Sequence, residues 1–299
     1  MIDRRFFLAA SAAAFAAACN SSRVEPGPDG GPPREVAPER FDAIRASLGA
    51  GARIGVAAID TGNGRRLVHD PLGRYAMAST FKLPLAAFVL AEAEQGRLRL
   101  DEEIAFEPGP PLDNSPVVAD NLALGRLPVE TLAAAIVRVS DNSAANLLLR
   151  RLGGPEALTR FVRAHGDPVT RLDRYEMELG TNLPGDPRDT TSPATMAELV
   201  RTLVLGRALG EGSRDRLIAW LTSAVPGPDR LRAGLPEGWR FGHKTGTGAN
   251  GAVNDVGIAW PPGRASIVIA SYQDGGTAAM PARAAAHAAV ARLVAETFA

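Results

Sequence analysis

The sequence predicts an α/β fold in which an antiparallel sheet is flanked by helices and joined to a mostly helical lobe. Strand-like segments occur towards both ends of the chain, whereas residues 79–210 have the pattern of helices separated by loops. Strands from both ends can complete one sheet, so we expect a sheet lobe of about 39–75 and 225–299 and a helical lobe of about 76–224. A cleft between two such lobes is the usual place for a binding or catalytic site.

The first 38 residues carry export and tether signals. Arg4 and Arg5 precede an alanine-rich stretch, and residues 1–18 are too short to span a membrane permanently, which is typical of a twin-arginine export signal. Residues 19–38 are rich in Pro and Gly, which predicts a flexible tether. The folded body is therefore expected over 39–299, and we expect the protein to be exported to the periplasm or the cell envelope.

The single cysteine, Cys19, directly follows Ala16, Ala17 and Ala18. This placement resembles a bacterial lipoprotein cleavage box, although ordinary signal cleavage with an incidental Cys19 is the alternative. We favour lipidation, and with it attachment to a membrane, because the chain uses cysteine nowhere else.

The body begins with a helix and a hairpin. Glu39–Leu48 has apolar residues at helical spacing, and Pro38 at its start suits the first turn of a helix. Arg53–Ile59 and Arg65–His69 have strand character, and the turn Thr61–Gly64 joins them as a hairpin.

Helices dominate the middle of the chain. Leu83–Leu90 is apolar almost all round, which indicates a helix buried on every side, and Pro84 is tolerated in its first turn. Thr131–Val139 and Ser143–Leu152 are further helices, and a glycine pair ends the second.

Strand character returns in the last quarter of the chain, before an alanine-rich helix closes it. The predicted elements are the strands Arg240–Thr247, Val256–Trp260 and Ser266–Tyr272 and the helix Ala279–Phe298.

The composition excludes several classes of protein. The chain has 33 basic and 33 acidic residues, so it lacks the positive field that nucleic-acid binding needs. One cysteine excludes an internal disulfide framework. The four histidines show no metal-ligand spacing, so we expect no metal site; they are His69, His165, His243 and His287.

Only two of the 33 basic residues are lysines, and both lie in motifs that suggest chemistry. In Ser79-Thr80-Phe81-Lys82 a hydroxyl and an amine are three residues apart at an expected helix start, so they share one face of the helix. The helix start also supplies unpaired N–H groups for a developing oxyanion. On its own, this motif is more often a solvated helix start.

Two further motifs lie at a loop and at a strand end. Ser140-Asp141-Asn142 lies between two predicted helices and can present polar groups to a cleft, or simply cap the second helix. Lys244-Thr245-Gly246-Thr247 lies late in a predicted strand, where Gly permits a close backbone approach. Strand alternation places Lys244 and Thr245 on opposite faces.

In this order and spacing, the three motifs are similar to the Ser-x-x-Lys, Ser-Asp-Asn and Lys-Thr-Gly set of class A serine β-lactamases and penicillin-binding proteins. Thr170–Leu179 resembles the class A omega loop, a long loop without predicted secondary structure. The resemblance implies that Arg174 and Asp189 form an ion pair that holds this loop. It also places Glu176 on the carboxylate that activates the hydrolytic water, which penicillin-binding proteins lack.

The resemblance implies a role for each motif residue. Ser79 is the nucleophile, Lys82 and Glu176 are competing candidates for the acylation base, and Ser140 relays a proton to the departing nitrogen. The oxyanion would be held by the backbone N–H groups of Ser79 and Thr247. The substrate-binding residues that it implies are Asn142, Lys244, Thr245, Thr247 and Arg230. For Arg230, an ordinary surface arginine is an equal alternative.

Four positions depart from the family pattern. Gly180 stands where an Asn usually helps to hold the hydrolytic water, and Met177 stands where a Pro usually follows the catalytic Glu. Asn114 occupies a position that often carries an aromatic residue, and His243 replaces an acidic residue before Lys244. These departures concern rate and substrate range, since they remove no primary catalytic group.

The sequence is thus identified as a class A serine β-lactamase that hydrolyses penicillins and cephalosporins, without a cofactor and with antibiotic resistance as the result. A D-alanyl-D-alanine carboxypeptidase and a sensor module that β-lactams acylate once are the alternatives. The expected partner is a small-molecule β-lactam, with no nucleic acid, and nothing in the sequence requires more than a monomer.

Overall fold

A computed structural model describes residues 38–107 and 109–298. Within these ranges nine strands and ten α-helices are present. The strands are β1 Arg53–Asp60, β2 Arg66–His69, β3 Tyr75–Ala76, β4 Glu103–Ala105, β5 Arg126–Pro128, β6 Thr190–Thr191, β7 Arg240–Thr247, β8 Val253–Trp260 and β9 Ile267–Asp274. The helices are α1 Pro38–Ala46, α2 Lys82–Glu94, α3 Pro116–Asp120, α4 Val129–Arg138, α5 Asn142–Arg151, α6 Pro155–Ala164, α7 Pro193–Val204, α8 Glu211–Thr222, α9 Leu231–Gly234 and α10 Met280–Phe298.

Strands from both ends of the chain form one antiparallel sheet, as predicted. Its strand order is β2-β1-β9-β8-β7, so the first hairpin pairs with the last strand of the chain. The central strands are buried along nearly their whole length, which requires cover on both faces.

Two hydrophobic cores provide this cover. One core packs α1 and α10 on one face of the sheet, and Phe41, Val294 and Ile269 belong to it. The other packs α7 and α8 on the opposite face and continues into the helical part of the chain, where Val200 and Leu217 belong to one cluster. The edge strand β7 therefore lies beside the helical region, where a cleft can form.

Helix α2 runs through the second core. The ten residues from Lys82 to Ala91 are buried, which confirms the prediction of a helix covered on every side. Pro84 lies in its first turn, as expected. Asp141 caps α5, since its side chain accepts the backbone N–H of Ala144 at 2.8 Å.

Several elements differ from the prediction. Ser79 does not lie in the helix; it belongs to a short 3₁₀ turn, Ala78–Phe81, that precedes α2. Strand β8 starts at Val253, three residues earlier than expected. Helices α6, α7 and α8 were not separately predicted.

None of the helices in the described ranges combines the length and apolar character needed to cross a membrane. The predicted export signal over 1–18, Cys19 and the tether up to residue 37 lie outside the described residues.

His287 in α10 is expected to make the stability of the fold depend on pH. The ring is fully buried, with Nε2 3.0 Å from the Val253 carbonyl oxygen and Nδ1 2.9 Å from the Ser271 hydroxyl oxygen. A neutral ring that donates through Nε2 and accepts through Nδ1 satisfies both bonds. Burial lowers the pKa of His287 from 6.5 to about 4.

Below pH 6.5 the unfolded chain therefore binds a proton that the folded chain does not, so stability falls between pH 6.5 and 4. We expect His287 to account for a loss of about 2 kcal/mol between pH 7 and pH 5. Urea unfolding of the wild type and of His287→Gln at both pH values measures this difference. An equal pH dependence in the two proteins would contradict it.

Candidate active site

The Ser79 turn packs directly against strand β7. Ala78 has a left-handed backbone conformation, with φ of 44°, and starts the turn that carries the half-buried Ser79. A Cβ atom on Gly246 would lie 2.7 Å from the Met77 carbonyl oxygen and 3.2 Å from the Ser79 nitrogen. Glycine at position 246 is therefore required for this approach, which brings Thr247 to the Ser79 turn.

Lys82 connects the nucleophile candidate to three other motif residues. Its buried Nζ lies 3.1 Å from Ser79 Oγ and 3.0 Å from Glu176 Oε1. It also donates to the Ser140 carbonyl oxygen at 2.9 Å and to Asn142 Oδ1. Burial lowers the pKa of Lys82, and the nearby Glu176 carboxylate opposes this shift. The amine is therefore moved towards the range in which it can exchange a proton.

Ser140 lies between two amines. Its Oγ is 3.4 Å from Lys82 Nζ and 3.0 Å from Lys244 Nζ. The pKa of Lys244 is lowered well below its usual value by burial first, and then by the positive charges of Lys82 and Arg230. A hydroxyl in this position can pass a proton between the two sides of the cleft.

Glu176 is held at the site through its backbone. Its N–H donates to Asn146 Oδ1 at 2.9 Å, and Asn146 Nδ2 donates to the Glu176 carbonyl oxygen at 2.8 Å. The Glu176 side chain is 6% exposed, and its Oε1 lies 3.5 Å from Ser79 Oγ. The peptide bond between Glu176 and Met177 is cis.

Sequence reasoning did not identify Asn146. It lies one helical turn after Asn142 on α5, so both amides share one face of this helix, and that spacing could have indicated it.

The omega loop is closed at its base by Arg174 and Asp189. Arg174 Nε donates to Asp189 Oδ2 at 2.6 Å, while Asp189 Oδ1 accepts the N–H groups of Asp173 and Arg174. Asp189 is fully buried, and a buried carboxylate needs compensating donors, which these three bonds supply. The loop that carries Glu176 is thereby fixed at both ends.

The far end of this loop also contacts the turn after β7. The side-chain amides of Asn182 and Asn250 each donate to backbone carbonyl oxygens of the opposite segment, at 3.0 to 3.3 Å. The Ala249 N–H donates to the Gly180 carbonyl oxygen at 2.8 Å. Together these bonds join the omega loop to the strand that carries Lys244.

The side chain of Arg230 also contacts strand β7. It is only 8% exposed, and it donates to the carbonyl oxygens of Gly246 and Asn254 and, at 2.7 Å, to Thr247 Oγ1. This burial argues against the surface-arginine alternative. Burial lowers the pKa of Arg230, and Asp255 opposes the shift.

The other residues that the sequence analysis associated with the substrate differ in their burial and contacts. Asn142 is buried and donates to the Asp113 carbonyl oxygen and the Met177 sulfur. Thr247 is exposed at the end of β7. Thr245 is buried, and its methyl group lies against Gly227, so it faces away from Lys244, as strand alternation predicts. Asn114 is exposed and donates to the Ser140 carbonyl oxygen at 2.9 Å.

A cavity of about 430 Å³ lies beside these groups. Its lining includes Ser79, Asn142, Glu176, Gly180 and Thr247. Among residues 38–107 and 109–298, no cluster of three or more histidine, cysteine or acidic residues could hold a metal ion. The arrangement combines a nucleophile, a buried amine and a carboxylate next to a space of ligand size, which suits acyl transfer.

Comparison with known proteins gives the same family at each level. The sequence model of the β-lactamase enzyme family matches residues 39–298. The chain is 45% identical over 273 residues to β-lactamase AST-1 from Nocardia asteroides, covering 90% of this chain and 87% of the relative. It is 44% identical over 223 residues to the carbapenem-hydrolyzing β-lactamase KPC from Klebsiella oxytoca, covering 74% and 76%.

Two solved structures are also similar. An ancestral class A β-lactamase superposes with a TM-score of 0.84 at 49% identity, over 87% of this chain and 99% of that chain. A β-lactamase from Desulfarculus baarsii superposes with a TM-score of 0.83 at 45% identity, over 87% and 96%.

Proposed function

Since this chain belongs to the class A β-lactamase family and hydrolyses β-lactam antibiotics, which gives resistance to them, we propose that it acts through an acyl-enzyme on Ser79. The substrates proposed are penicillins and cephalosporins. The observation that supports this most directly is that Lys82 Nζ lies 3.1 Å from Ser79 Oγ and 3.0 Å from Glu176 Oε1.

Acylation begins when Ser79 Oγ attacks the carbonyl carbon of the lactam and gives its proton to a nearby base. Lys82 and Glu176 are both within reach of this oxygen, at 3.1 and 3.5 Å, and both remain candidates. The carbon–nitrogen bond then breaks, and the nitrogen takes a proton from Ser140, which lies between Lys82 and Lys244. Ser140 regains a proton from Lys82, which holds the proton of Ser79 or receives it from Glu176. The product is an ester on Ser79.

The negative oxygen of the tetrahedral intermediate is held by the backbone N–H groups of Ser79 and Thr247. The close approach that Gly246 permits brings these two segments together. One such donor typically lowers the barrier by about 3 kcal/mol.

Deacylation requires a water molecule activated by Glu176. The carboxylate takes a proton as the water attacks the ester carbon, and this proton passes to Ser79 Oγ as it leaves, which restores both Glu176 and Ser79. The cavity beside Glu176 and Gly180 has room for this water. Gly180 has no side-chain amide to hold it, so its position depends on Glu176 and on the surrounding backbone.

The substrate carboxylate binds at the end of β7, and this supports selectivity for penicillins and cephalosporins. Arg230 supplies positive charge there and Thr247 supplies an exposed hydroxyl, while the bound carboxylate favours the charged form of Lys244 against the effect of burial. Thr245 lies on the opposite face from Lys244, so the substrate is expected to contact it less than the resemblance implies. Asn142 holds the amide side chain of the substrate.

We further propose that residues 39–299 are the catalytic domain of an exported, monomeric protein. Residues 1–18 are its export signal, 19–38 its tether, and Cys19 its lipid attachment point on the membrane, as the arginine pair and the cysteine placement support. The intact mass of the protein purified from membranes should equal that of a chain that starts at a lipidated Cys19. An unmodified or missing Cys19 would contradict this.

The function is tested by incubating the purified protein with a penicillin and following substrate loss and protein mass together. Many turnovers per enzyme with no lasting adduct are expected. A stable adduct without turnover would instead support a sensor. Cleavage of an acyl-D-alanyl-D-alanine peptide without β-lactam turnover would support a carboxypeptidase.

A further inference from the structure

A buried histidine in the proposed carboxylate-binding strand β7 contacts a buried carboxylate in the neighbouring strand β8, and the mechanism above uses neither. His243 in β7 is 1% exposed and Asp255 in β8 is 0% exposed. His243 Nδ1 lies 2.8 Å from Asp255 Oδ1. Gly257 is paired with His243, and a Cβ atom there would lie 2.7 Å from His243 Cβ, so a glycine is needed beside the histidine.

The same carboxylate also holds the segment that carries Arg230. Asp255 Oδ2 accepts the backbone N–H of Leu231 at 3.1 Å. One carboxylate thus connects the residue before Lys244 with the residue after Arg230. The two cations proposed to bind the substrate are tied together through Asp255, although they lie fourteen positions apart in the sequence.

The negative charge of Asp255 partly compensates a cluster of buried cations. Lys82, Lys244 and Arg230 are all at least nine-tenths buried, and the neighbouring cations destabilise the charge on Lys244. Arg230 donates only to two carbonyl oxygens and one hydroxyl in the described part of the chain. Asp255 favours the charged forms of both Lys244 and Arg230.

The geometry of His243 keeps this charge in place. Its Nε2 is buried without a hydrogen-bond partner among the described residues. A proton on Nε2 would therefore be a buried and unpaired donor, which is costly, whereas a bare nitrogen costs less. The tautomer that fits this site therefore has its N–H at Nδ1, from which it donates to Asp255.

We propose that His243 and Asp255 are positioning residues that hold Lys244 and Arg230 in place, charged, for the carboxylate of the substrate. This inference rests on the proposed function. Neither residue touches the substrate, because Asp255 acts through the Leu231 backbone and His243 acts through Asp255. Their effect should therefore fall on the binding of carboxylate-bearing substrates rather than on the acyl-transfer steps.

The test compares a penicillin with its methyl ester, which lacks the negative charge, in four variants. Asp255→Asn keeps the shape and removes the charge. His243→Leu removes the donor to Asp255, and His243→Asn retains an N–H donor near the Nδ1 position. Lys244→Ala sets the scale, because it removes a proposed carboxylate ligand directly.

For Asp255→Asn and His243→Leu we expect KM for the penicillin to rise about tenfold, with kcat and the kinetics of the ester within about twofold of wild type. His243→Asn should restore most of the wild-type KM. A merely structural role would lower the rates for both substrates together and would not be rescued by Asn.

Equal losses on penicillin and ester, or no loss on either, would overturn the inference. If Asp255→Asn does not fold, His243→Leu decides the question, since it leaves the carboxylate and its bond to Leu231 in place. Wild-type protein that turns over no penicillin would refute the proposed function instead, so the two failures are distinguishable.

Discussion

Replacing Ser79 with alanine is expected to abolish both the hydrolysis of penicillin and the formation of a covalent adduct. The Ser79 hydroxyl lies 3.1 Å from Lys82 Nζ and 3.5 Å from Glu176 Oε1, and it can form an ester with the opened lactam. Loss of a catalytic serine reduces kcat on the order of 10⁶-fold in hydrolases that act by the same chemistry. Steady-state kinetics and intact-mass measurement after exposure to penicillin check the two parts of this prediction.

Ser213→Ala is a matched control for this substitution. Ser213 lies in α8, which contributes no residue to the lining of the cavity beside Ser79, so its loss should leave turnover unchanged. An adduct that persists in Ser79→Ala would mean that another residue is the nucleophile.

Replacing Glu176 with glutamine is expected to stop the cycle after acylation. Glutamine keeps the size of the side chain and an acceptor for Lys82, but it cannot take a proton from water. The bonds from Asn146 go to the backbone of residue 176, so the loop should keep its position. Loss of a general base typically lowers the reaction rate by about 10²- to 10⁴-fold. We expect steady-state turnover to fall by a factor in this range while the acyl-enzyme accumulates.

The control is Glu178→Gln, which changes an exposed carboxylate two residues away in the same loop. It should leave turnover within about twofold of wild type, because surface substitutions usually have small effects. A burst of product followed by a slow phase is expected only in Glu176→Gln. Unimpaired steady turnover in that variant would remove Glu176 from deacylation.

Local patterns in the sequence predicted the main elements of the fold. The apolar run Leu83–Leu90 indicated the buried helix α2, and the strands at both ends indicated a single sheet. The 3₁₀ turn at Ser79 could not be predicted, since it depends on the left-handed Ala78 and on the approach of Gly246 from a distant strand.

The candidate site was predictable only where motifs named its residues. The roles of residues that act through long-range contacts were not predicted, because their partners are distant in the sequence. The contact between Asn146 and Glu176 joins positions thirty residues apart, and the pairing of His243 with Asp255 depends on strand register. The burial of Arg230 likewise arises because its side chain lies against Gly246 and Asn254 in distant strands, so its sequence surroundings left a surface position equally open.

The claim that Ser79 is acylated and Glu176 releases the acyl group is tested most directly by mapping the adduct in Glu176→Gln. After exposure to a penicillin, the variant is digested with trypsin, and the peptide Tyr75–Lys82, which ends at one of the two lysines, is sequenced by tandem mass spectrometry. The account predicts the opened β-lactam on Ser79 in this variant and a free Ser79 in wild type after turnover. An adduct on Thr80 in this peptide, an adduct on Ser140 in the tryptic peptide Val139–Arg150, or no adduct in Glu176→Gln would contradict it.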